Sequence, residues 1–128
     1  MSVRAQEAHP QIKKLLTEKM VLAKIRAIPE VRTYLKDNKK DEAMLMVARN
    51  PELGYKYYWI KVGVGNLGMF RTSYNFYVDP KTSKITIWDQ LDSASSNISL
   101  KRWRYWRNKP GYYDNHYYKN GKLIVWKP

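Results

Sequence analysis

Between Tyr55 and Asp89 apolar and polar residues alternate with a period of two, and turn signals interrupt the alternation twice. Tyr58, Ile60, Val62 and Val64 fall on one side of the first stretch, with Tyr57, Trp59 and Lys61 on the other. Gly65-Asn66-Leu67-Gly68 reads as a hairpin connection. Across it, Met69 to Asp79 sets Phe70, Thr72, Tyr74, Phe76 and Val78 against Arg71, Ser73, Asn75 and Tyr77. Asp79-Pro80-Lys81-Thr82-Ser83 has the proline and short polar residues of a tight turn, and Lys84 to Asp89 follows with Ile85 and Ile87 inward. Strands joined this closely pair antiparallel in chain order, and such a meander has an apolar face that another element must cover.

The cover comes from the other end of the chain. From Pro10 to Asn38, Ile12, Leu15, Leu16, Leu22, Ile25 and Ile28 recur at mostly helical spacing, with lysines, arginines and glutamates between them. Pro29 is poorly suited to a helix interior and well suited to a first turn, so Pro29 to Leu35 opens a second, shorter helix with Val31, Tyr34 and Leu35 buried. Glu42 to Arg49 suits a first strand or a helix, and Asn50 to Gly54 is a turn. After the polar loop Asp92 to Asn97, Ser99 either caps a helical turn holding Leu100, Trp103 and Trp106 or belongs to a strand. Lys119-Asn120-Gly121-Lys122 carries the Asn-Gly signal of a type I′ hairpin. The expectation is one α+β domain over 1–128: a helix kinked into two, packed on a curved antiparallel meander of about four strands, with an aromatic and basic hairpin at the end. Its core spans about residues 10–107, and 108–128 reads as an extension.

The net charge of +13 favours acidic partners, and eleven Tyr and five Trp suit half-wet surfaces. With no cysteine, disulfides, thiolate nucleophiles and Cys-ligated metals are ruled out. No apolar run approaches the length of a membrane span, and Met1 to Glu7 lacks the apolar core of a signal peptide.

Enzyme motifs fare poorly. Gly63-Val64-Gly65-Asn66-Leu67-Gly68 matches the dinucleotide fingerprint as a string, but a β-patterned stretch follows where a helix N-terminus is needed. His9 and His116 sit at opposite ends, without metal-ligand spacing; His9 is expected at the helix entry and His116 on a surface hairpin. Glu52, Asp79, Asp89 and Asp92 fall in turns and at strand ends, where a carboxylate commonly bonds its own backbone. No catalytic, metal or cofactor residue is nominated.

The densest signal lies in Lys101 to Pro128, where eight basic residues and eight aromatics stand against one acid, Asp114. Tyr57, Trp59, Trp103, Arg104, Trp106 and Tyr113 are the candidate binding residues. Interleaved Arg, Trp and Tyr suits an acidic protein or glycan partner, or single-stranded nucleic acid through stacking and phosphate contacts. Equally, it suits core aromatics with solvated basic neighbours.

Ile28-Pro29-Glu30-Val31, Tyr58-Trp59-Ile60-Lys61-Val62-Gly63, Tyr74 to Thr82 and Ile98 to Arg104 together resemble small exported or lipoprotein-type proteins of Bacteroidetes with a cystatin-like (NTF2-like) fold. The resemblance covers about residues 20–107. It implies a helix cradled by an antiparallel sheet and an exported, envelope location, with a cytoplasmic one left open, and it brings no known activity. Cysteine-protease inhibition is not implied, since the Gln-x-Val-x-Gly hairpin and Pro-Trp loop of cystatins are missing. The function expected is a non-catalytic binding domain; a small enzyme with an Asp or His base in a deep pocket is the reading furthest from the residues.

Overall fold

The computed structural model describes residues 15–65 and 68–127. Its elements are α1 (Glu18–Arg26), α2 (Pro29–Asp37), a 3-10 turn (Lys39–Asp41), β1 (Ala43–Arg49), β2 (Tyr58–Val64), β3 (Arg71–Val78), β4 (Ile85–Trp88), β5 (Asn97–Ser99), α3 (Leu100–Trp106), β6 (His116–Lys119) and β7 (Lys122–Val125). The α+β class stands. The sheet has five antiparallel strands in the order β1-β2-β3-β4-β5, and β6 and β7 form a separate two-stranded sheet.

The kink falls where proline chemistry predicts it. Ala27 caps the end of α1, and Ile28 leads into α2 with Pro29 in its first turn. The helix expected from Pro10 is shorter among the described residues: Thr17 is extended, its hydroxyl accepts the Met20 amide, and α1 starts at Glu18. Leu16 is held by the sheet instead. Its amide donates to the Pro80 carbonyl at 3.1 Å, and its carbonyl accepts from the Tyr58 hydroxyl at 3.2 Å. Pro10 to Lys14 lie outside the described residues.

The two open readings resolve differently. Ala43–Arg49 is a strand whose half-buried Leu45 and Val47 meet the core. At Ser99 both alternatives hold: Asn97–Ser99 pairs with Thr86–Trp88 as a fifth strand, and the Ser99 hydroxyl then accepts the Arg102 amide to cap α3. The type I′ hairpin is present, with Asn120 and Gly121 at φ 52° and 76°.

The three helices among the described residues lie on one face of the sheet. Val21 and Ile25 of α1, Val31 of α2 and Trp103 of α3 close over Ile60, Val62, Phe76, Val78, Ile87 and Ile98. Tyr112 belongs to this core and Leu123 packs against it, so the segment after Asn108 closes the interior of the same domain. Gly63 has a steric reason of its own: a Cβ there would lie 2.1 Å from the Arg71 carbonyl oxygen, at the bulge where β2 meets β3. Among the described residues no helix is long and apolar enough to cross a membrane.

Candidate functional site

The surface expectation for His116 does not hold. Its side chain is fully buried, with Nε2 2.7 Å from Asp89 Oδ2 and Nδ1 2.8 Å from the Asp114 carbonyl oxygen. Both ring nitrogens therefore sit within hydrogen-bond distance of a protein oxygen. Asp89, which directly follows β4 and is 1% exposed, also accepts the Tyr118 hydroxyl at 2.6 Å and the Leu91 amide at 3.2 Å. Backbone bonds complete the joint: the His116 amide donates to Leu91, and Ser93 donates to the His116 carbonyl. Burial, and then the Asp89 carboxylate, push the Tyr118 phenol well above its ordinary range. Every group in the cluster has its partner inside the protein, so the cluster joins the C-terminal hairpin to the sheet and has no free base to offer. Asp92 is likewise engaged, by the Ala94 amide and the Ser96 hydroxyl, and Asp79 by the amides of its own turn. Among the described residues no three His, Asp or Glu side chains converge as a metal-ligand set.

Beside this joint opens a cleft of about 290 Å³. Thr72, Ser73 and Tyr74 of β3 form part of its wall, Asp89 to Leu91 another part, and Trp103, Tyr112 and Tyr113 bring aromatic rings to it. Burial raises the Tyr74 and Tyr112 phenols, which therefore stay neutral hydrogen-bonding groups.

The second surface is the sheet face that no described helix covers. Here Trp59 and Tyr77, paired across β2 and β3, stack with ring centres 5.8 Å apart, and the Trp59 indole N–H donates to Asn75 Oδ1 at 2.8 Å. Lys61 lies over the Trp59 ring, Lys56 over Tyr57 and Arg49 over Tyr55. A shallow depression of about 360 Å³ is bounded by Tyr55, Tyr57, Tyr77 and Trp88, with Ser95 and Asn97. None of the outward positions of β1 to β5 is acidic.

The six candidate residues therefore divide. Tyr57 and Trp59 share the uncovered face. Trp103 is 2% exposed, because the Ser99 cap sets α3 so that this ring lodges edge-on against Tyr74 and Phe76. Arg104 is held in a two-pronged ion pair with Glu30, at 2.8 and 3.0 Å. Trp106 is half-buried between Tyr105 and Tyr118, and Tyr113, 67% exposed, stands at the cleft. The cations interleaved with these rings already rest on them: Arg102 over Tyr118, Arg107 over Trp103 and Lys109 over Tyr105. Sequence reasoning passed over Tyr77 and Trp88, although their strand positions could have placed them beside Trp59. It passed over the Asp89–His116 pair because nothing local links residues 27 apart. No family model, curated protein or solved structure matches the chain.

Proposed function

We propose that the protein is a non-catalytic binding domain that holds an acidic protein or glycan against the uncovered face of its sheet. The observation that carries this reading is the stacked Trp59–Tyr77 pair beside Trp88 and Tyr57, on a face flanked by Lys61 and by Arg49 and Lys56, the last two paired with Glu52 and Asp79. Flat rings give a partner contact area at little conformational cost, and the net charge of +13 speeds encounter with an acidic surface. Catalysis has less support, because the buried Asp89–His116–Tyr118 cluster has its hydrogen bonds satisfied internally.

The test is binding of the intact chain to a sulfated glycan, a neutral glycan of the same length and single-stranded oligothymidylate, each at several salt concentrations. The sulfated glycan is expected to bind with an affinity that falls as salt rises, and Trp59→Ala to weaken it about tenfold, or ~1.4 kcal/mol. Equal binding of the neutral glycan, or an unchanged affinity in Trp59→Ala, would overturn the reading. Preference for the oligonucleotide would transfer the surface to nucleic acid.

A further inference from the structure

We infer that the cleft beside Asp89 captures a short extended peptide of a partner protein, which adds to β3 as a strand. β4 pairs with β3 only over Phe76–Val78, although β3 begins at Arg71. Beyond Trp88 the chain is drawn away, because Asp89 is fastened to His116, Tyr118 and the Leu91 amide. Among the described residues no strand pairs with that edge of β3 from Arg71 to Asn75.

A strand edge left this way presents amide and carbonyl groups that a second extended chain can pair with. The edge is five residues long, about 17 Å at the usual rise per residue. Part of it borders a recess: Thr72, Ser73 and Tyr74 line the 290 Å³ cleft together with Asp89 to Leu91. The rings of Trp103, Tyr112 and Tyr113 line the same space. Main-chain bonding to β3 thus coincides with an aromatic recess for one side chain, the two components of recognition by strand addition. A cleft at the small end of ligand pockets suits one apolar side chain rather than a folded surface.

Charge selects the peptide further. Asp89 is buried and its carboxylate is taken up by His116, Tyr118 and the Leu91 amide, while exposed Arg71 stands at the start of the free edge and favours an acid. The occupant is an extended segment with one large apolar residue and an acidic residue one or two positions from it.

The experiment screens the intact chain against an array of random octapeptides, then follows the best binder by backbone NMR and amide exchange. Enrichment of sequences pairing a large apolar residue with a nearby acid is expected. So is slowing of exchange of at least about tenfold at amides within Arg71–Asn75, with little change elsewhere in the sheet. Tyr113→Ala, at an exposed position where folding is not at stake, weakens the peptide at least about fivefold, and Tyr113→Phe restores it. The inference is overturned if no octapeptide exceeds its scrambled control, or if protection falls outside Arg71–Asn75. It is also overturned if those amides are already protected without peptide and lose protection on dilution, which marks a second copy of the chain, or on deletion of residues 1–14, which marks the chain's own segment.

Discussion

His116 Nε2 meets Asp89 Oδ2 at 2.7 Å with neither side chain more than 1% exposed, and this contact joins the final hairpin to the end of β4. Removing one member of a buried, hydrogen-bonded pair leaves the other desolvated without its partner, which costs about 3–5 kcal/mol where the pair is ionic. His116→Ala is expected in that range by urea denaturation. Asp89→Ala should cost more, because it also strands the Tyr118 hydroxyl and the Leu91 amide. Tyr118→Phe, losing one hydrogen bond to a charged group, should cost about 1.5–3 kcal/mol. A different order of the three would contradict the bonding described.

Two glycines should respond for different reasons. At Gly63 a Cβ would meet backbone, the Arg71 carbonyl oxygen at 2.1 Å, so Gly63→Ala forces β2 and β3 apart. Gly121 has open space around it and a φ of 76°, so Gly121→Ala costs only the left-handed strain of about 1–2 kcal/mol. Thermal melts of the two variants check this: Gly63→Ala should be the lower of the pair.

Acid should weaken the fold through Glu30 and Asp79. The hydrogen bonds from Arg104 hold the Glu30 carboxyl below its usual range, and the Lys81 and Thr82 amides do the same for Asp79. For a carboxylate with a depressed folded-state pKa, the stabilisation is present above the unfolded value of about 4 and is lost as pH falls through the folded one. Melting temperature should therefore drop below about pH 4, and the double variant Glu30→Gln, Asp79→Asn should show a shallower drop.

Alkali acts through the tyrosines with the opposite sign. Tyr118 and Tyr112 are raised above the ordinary phenol range chiefly by burial. Stability tied to their neutral form is complete below the unfolded value of about 10 and declines as pH rises past it. Absorbance at the tyrosinate band should show these two phenols ionising only together with loss of native near-ultraviolet circular dichroism. Early ionisation with the fold intact would contradict their burial.

Much of the scaffold is legible from short stretches of chain. Alternation places Tyr58, Ile60, Val62, Phe76, Val78 and Ile87 on the core side, Pro29 divides the helical segment, and Asn120-Gly121 marks the last hairpin. The start of α1 was not legible, since the bonds that hold Leu16 come from Pro80 and Tyr58, far along the chain. Neither was the division of the candidate binding residues: Trp59 and Trp103 look alike in sequence, yet one lies on the uncovered face and the other in the core.

The sequence by itself determined the α+β class, the order of most strands and the basic, aromatic character of the surface, because periodicity, turn chemistry and charge act over a few residues. Only the tertiary structure decided that residues 108–127 help close the core, that His116 is buried against Asp89, and that β4 pairs with β3 only over Phe76–Val78, beside a ring-lined cleft. Those outcomes depend on which distant groups satisfy one another once water is excluded. No local pattern encodes that pairing.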